Sequence, residues 1–143
     1  MRLRHLFAVL ALLVLPACSL LAAKTSWTDP QLPASDTGPL ATAMAHILAE
    51  RFTPGKTTFV IVEAPDGSVT DALAAKLRST GFAVASAGTP GAQTIRVVIT
   101  AHGKGVVVRI LTGKLEASQA FSRDDKGALA AAAAVTLRDG GAR

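Results

Sequence analysis

The chain has 143 residues, with 15 basic against 10 acidic side chains, no tyrosine, one tryptophan and one cysteine. That length suits one small domain. The single thiol excludes an internal disulfide, and the positive excess is scattered rather than gathered into a basic stripe, so direct nucleic-acid binding has no electrostatic footprint here.

The first residues, Met1-Arg2-Leu3-Arg4-His5, are basic, and residues 6–15 then carry no charge. Pro16, Ala17 and Cys18 follow. A basic start, a short apolar run and a small residue before a cut site describe a secretory signal peptide over residues 1–17. The run is too short to cross a bilayer, which takes about 20 apolar residues. Leu15-Pro16-Ala17-Cys18 resembles the bacterial lipobox, with Pro16 in place of the usual small or β-branched residue. The resemblance implies cleavage before Cys18, a diacylglycerol on its thiol and an acyl group on its new amino terminus. Ser19, rather than an aspartate, follows the cysteine, which favours sorting to the outer membrane, facing the periplasm. Loss of Arg2 and Arg4 would leave 13 basic against 10 acidic residues, a charge of about +3.

Residues 18–38 read as a flexible tether, with Pro30, Pro33, Gly38 and many small polar residues. Trp27 and Leu32 are the apolar exceptions, read first as isolated apolar residues of a tether and alternatively as an extended segment that docks on a partner. Residues 39–52 are predicted helical: Pro39 suits the first turn, and Leu40, Met44, Ile47, Leu48 and Phe52 share one face. "TTFVIVE", residues 57–63, is a strand whose unbroken apolar centre predicts burial on both faces. Pro65-Asp66-Gly67 is a turn, Ser68 with Asp71 a capping box, Val69, Ala72, Leu73 and Leu77 an apolar helix face, and Gly81 the C-terminal cap. "FAVAS", residues 82–86, completes a strand–helix–strand unit.

Three strands follow. Residues 94–101 set Ile95, Val97 and Ile99 against Arg96 and Thr100; residues 105–112 set Val106, Val108 and Ile110 against Arg109; residues 115–122 are weaker, with Gln119 breaking the pattern. The glycines around Lys104 and Thr112-Gly113-Lys114 are hairpin turns. Residues 39–126 are therefore expected to form one globular α/β domain, an α+β sandwich: a small mixed sheet of about five strands with two helices packed on one face. Residues 127–143 are an alanine-rich tail of high helix propensity, in which Val135-Thr136-Leu137 could instead be an edge strand.

No local pattern of catalysis stands out. "PGKTT", residues 54–58, lacks the earlier glycine of a phosphate loop and precedes a strand rather than a helix. His46 and His102 have no second ligand at metal spacing. Asp66, Asp71, Asp124 and Asp125 fall in turns or caps, and "FSRDDKG", residues 121–127, reads as a solvated charged loop. The chain is read as a non-enzyme with no catalytic, cofactor-binding or metal-ligating residue; Cys18, as a lipidation site, is the one residue given a role.

The passages "KTTFVIVEAPDGSVTDALAAKLRSTGFAVASAG" and "IRVVITAHGKGVVVRILTGKLEASQAFSR" resemble the TrbH family of conjugal transfer lipoproteins over residues 40–123. The resemblance implies a structural or assembly component of a conjugative type IV secretion (mating-pair formation) apparatus. Its partners would be the membrane, through the lipid, and protein components of that complex, with no nucleic acid and no small-molecule substrate. A lipoprotein activator or pilot of another envelope complex is the alternative, and a periplasmic enzyme a lesser one.

Overall fold

Apolar and polar residues alternating with period two make a strand that is wet on one side and buried on the other, and three such strands frame this protein. The computed structural model describes residues 25–140. In chain order the elements are β1 (Trp27–Thr28), a 3-10 turn (Ala34–Asp36), α1 (Thr37–Ala49), β2 (Thr58–Ile61), α2 (Ser68–Ser79) and β3 (Ala83–Ala85). Then come β4 (Gln93–His102), β5 (Gly105–Leu111), β6 (Leu115–Arg123), β7 (Leu129–Ala131) and β8 (Thr136–Asp139).

The sheet runs in the order β3-β2-β4-β5-β6-β7, with β1 also on β4 and β8 also on β6. β1, β2 and β3 are parallel to their neighbours, and β4, β5 and β6 form an antiparallel meander. Ile95, Val97 and Ile99 of β4 and Val106, Val108 and Ile110 of β5 join Leu40, Met44 and Leu48 of α1 and Val69, Leu73 and Leu77 of α2 in one core. Both helices thus cover one face of a mixed sheet, in the α+β class expected. β2 has neighbours on both sides, and its Phe59 and Val60 are both buried although they point to opposite faces. Phe59 also contacts the rings of Phe52 and Phe82, at centroid distances of 5.2 and 5.1 Å.

α1 starts two residues ahead of Pro39, which still falls in the first turn, where an N–H has no helical partner. α2 differs at its start. Gly67, at φ +69°, is the capping residue, and its carbonyl accepts the Asp71 N–H at 2.8 Å. Ser68 is already helical and its hydroxyl donates to Asp66 instead, so the predicted capping box does not form. A left-handed glycine can turn the chain directly into the helix, which removes the need for a hydroxyl cap. At the other end Gly81, at φ +90°, closes α2: the Phe82 N–H reaches the Leu77 carbonyl and the Gly81 N–H that of Arg78. This pair of bonds is a Schellman closure, and it delivers the chain straight into β3.

Among the described residues the sheet has eight strands rather than about five, because segments near both ends of the described chain join it. Trp27 and Thr28 lie in the segment expected to be a flexible tether, yet they pair with Val98 and Ile99 of β4. The alanine-rich tail is not helical. Leu129–Ala131 and Thr136–Asp139 pair antiparallel with β6, one beyond the other. Helix propensity loses here because β6 offers an open backbone edge, and Leu129, Val135 and Leu137 can pack against the core from it. Gln119, which seemed to spoil β6, sits near the gap between the two short strands, where its side-chain amide donates to the Ala133 carbonyl at 3.4 Å.

Candidate functional site

The N-terminal strap, residues 26–36, is tied to the sheet by several polar side chains, with Leu32 packed against the core. Ser26 is buried, and its hydroxyl oxygen accepts the Val97 N–H at 3.0 Å. Asp29 donates its own N–H to the Ile99 carbonyl, and its carboxylate accepts the N–H groups of Ala101 at 3.1 Å and Gln31 at 2.9 Å. Those backbone donors, Gln31 first, hold the Asp29 carboxyl below the usual carboxylate range. The strap thereby supplies hydrogen-bond partners to a stretch of β4 that β2 does not reach.

The far end of the strap is closed by an ion pair. Asp36 is 3% exposed and its carboxylate receives the guanidinium of Arg123, at the end of β6. Arg123 belongs to "FSRDDKG", so that stretch is more than a solvated loop. Phe121 is in the core, Asp124 accepts the N–H groups of Lys126 and Ala128 at 2.9 Å, and Asp125 pairs with Lys104 across the hairpin. The signal for the pair was a charged residue ending an alternating strand, but its partner lies 87 positions away.

On the sheet face opposite the helices, the side chains of β4, β5 and β6 are exposed or half-buried. Register places Trp27, Val98, Arg109, Ser118 and Thr136 in one row across it. The adjoining row holds Arg96, Leu111, Glu116 and Arg138. Arg109 donates to Glu116 at 2.5 Å, and this bond, with the charges of Arg109 and Arg138, keeps the Glu116 carboxyl below its ordinary range. Trp27 and Val107, each 40% exposed, are the large apolar side chains left open among the described residues, and both lie on this face.

The other sequence-derived candidates stay apart. His46 pairs with Glu50 on the outside of α1 at 3.4 Å, and His102 is exposed at the β4–β5 turn. Lys56 of "PGKTT" sits in an exposed turn leading into β2. Among the described residues no group of three or more His, Cys, Asp or Glu side chains could share a metal ion. A groove of about 890 Å³ opens where β2 and β3 end beside α2, near Glu63, Asp71 and Arg78. Its charged side chains are solvent-exposed. No helix of the described residues is long and apolar enough to cross a membrane. Cys18, the expected lipidation site, lies outside the described residues, eight positions ahead of Ser26.

These features define a two-layer α+β domain in which both ends of the described segment are built into one sheet, with the opposite sheet face largely open. Residues 22–140 match the family described as conjugal transfer protein TrbH. The chain belongs to this family and is a component of conjugal transfer. The match reaches beyond residues 40–123, where the resemblance was first legible, and takes in the strap and both C-terminal strands. Neither the curated proteins nor the solved structures contain a match to the chain.

Proposed function

We propose that this protein is an outer-membrane-anchored lipoprotein that serves as a structural or assembly component of a conjugative mating-pair formation apparatus, a type IV secretion machine. Membership of the TrbH family carries the reading. Leu15-Pro16-Ala17-Cys18 directly ahead of the matched region supports the anchor. In this reading Cys18 bears a diacylglycerol and an N-linked acyl chain and fixes the chain to the membrane. One acyl chain binds a bilayer only marginally, at about 0.8 kcal/mol per buried methylene, while three chains on one residue hold for the life of the protein.

The strap gives this anchor a mechanical role. A force on Cys18 enters the domain at Ser26 and passes through Trp27, Thr28 and Asp29 into β4. The pair between Asp36 and Arg123 carries it on to β6. The domain is thereby held to the envelope by the middle of its sheet, and the protein components of the transfer complex bind a body in fixed relation to the membrane. Transfer frequency tests the reading: a donor lacking the gene should fail, wild type should restore transfer, and Cys18→Ser should not. Undiminished transfer without the gene would reject it.

A further inference from the structure

The free sheet face, the short leash and the charge distribution bear on one another. From Cys18 to Ser26 is about eight residues, which span at most about 28 Å when fully extended. A domain of this size has a radius of gyration near 13 Å. An anchored domain therefore cannot leave the bilayer surface by more than about its own diameter, and any weak affinity of one face for lipid acts at high effective concentration. β1 brings the free face to the leash: Ser26 ends the leash, and Trp27, the next residue, is on that face.

The face has the composition of a membrane-contacting surface. Trp27 and Val107 project from it, and Val98 and Leu111 are half-buried on the same face. Tryptophan favours the headgroup level of a bilayer, where its ring is apolar and its N–H is wet. Arg96, Arg109 and Arg138 lie around these residues, against the single carboxylate of Glu116 on the face. Asp29 at the edge has its carboxylate occupied by two backbone N–H groups. Two copies face to face would set arginine against arginine, which disfavours a second copy as the occupant.

We infer that the face formed by Trp27, Val107, Arg96, Arg109 and Arg138 docks on the anionic lipid surface to which Cys18 is anchored. The inference rests on the lipoprotein reading above. Docking seats the tryptophan at headgroup depth and the arginines against lipid phosphates. The helices α1 and α2 then face away from the membrane, toward the protein components of the complex.

The chain's single tryptophan makes the test direct. The processed protein, purified from membranes, is reconstituted into vesicles of phosphatidylethanolamine and phosphatidylglycerol brominated near the glycerol end of their acyl chains. Mass analysis of the Cys18 peptide is done on the same sample. The expected result is acylated Cys18, loss of Trp27 emission in these vesicles, and no loss in brominated phosphatidylcholine vesicles, where the anchor holds but the charge attraction is gone. Raising the salt to about 1 M, where the Debye length falls to about 3 Å, should restore the emission, and so should Arg109→Gln combined with Arg138→Gln. Acylated protein whose Trp27 emission is the same in all vesicles would overturn docking and leave the anchor standing. Emission shielded only in native envelopes, and not in vesicles, would overturn it in favour of a protein covering the face. An unmodified Cys18 would overturn the anchor reading and the docking with it.

Discussion

The two ends of this domain make an instructive pair. Both add short strands to the sheet, β1 to β4 and β7 and β8 to β6, and both look weakly specified as sequence. Residues 26–36 nevertheless enter through polar groups, each with a particular partner: buried Ser26 with Val97, half-buried Asp29 with Ala101, buried Asp36 with Arg123. Residues 129–139 enter mainly through backbone pairing to β6, with mostly exposed alanines and half-buried Leu129, Val135 and Leu137. The first arrangement is costly to disturb, because removing one partner strands the other in the interior. The second gives way gradually, because each contact is small and its loss exposes groups to water.

Substitutions should separate the two ends, and the largest effect belongs to the strap. Arg123→Ala leaves the Asp36 carboxylate buried without its cation, and should lower unfolding free energy by about 3 kcal/mol in denaturant titration. Adding Asp36→Ala should recover part of that loss, since the stranded charge is gone. Ser26→Ala removes the acceptor for the Val97 N–H and should cost about 1–2 kcal/mol by the same measurement. Leu137→Ala in β8 removes a half-buried side chain at an edge and should cost about 1 kcal/mol. An equal or larger loss from Leu137→Ala than from Arg123→Ala would break the comparison.

Acid should also act on the strap. The Asp29 carboxyl titrates below its ordinary value of 3.8 in the folded chain, so at acid pH the unfolded chain binds the extra proton. The contribution of Asp29 is then complete above the ordinary value and is lost as pH falls through the lower, folded one. Glu116 is depressed as well and adds a further loss in the acid range. Asp29→Asn should therefore flatten, without abolishing, the fall of stability in acid, and an unchanged slope would show that the backbone N–H bonds to Asp29 carry no charge-dependent stability.

The strand–helix–strand unit and the β4–β5–β6 meander were legible because their periodicity runs long enough to count. Ile95, Val97 and Ile99 against Val106, Val108 and Ile110 state both a face and a register. The strap was opaque for the opposite reason. A two-residue strand has no period, and prolines on either side of Gln31 and Leu32 read as a loop. What marks it is chemical: in "SWTD" small polar residues alternate with one aromatic, which suits a polar edge strand seated over a core. The tail was misread because alanine's helix propensity is a local quantity, while the open edge of β6 is a property of the fold. Gly67 took the capping role given to Ser68 because its positive φ is invisible in sequence. The family passages and the proposed lipidation site Cys18 were readable directly, whereas the arginine-framed face exists only once β1, β4, β5, β6 and β8 are side by side.

In the proposed reading the anchor leads into the sheet through a strap that is part of the fold. Native-state hydrogen exchange on the full chain tests this at the amides of Val97 and Ala101, which donate to Ser26 and Asp29. Protection of both amides approaching that of the β4–β5 ladder, and its loss in Arg123→Ala, is the predicted result. Rapid exchange at Val97 and Ala101 while the β4–β5 amides stay protected would mean that the strap detaches freely, and the anchor would then end in a loose tether.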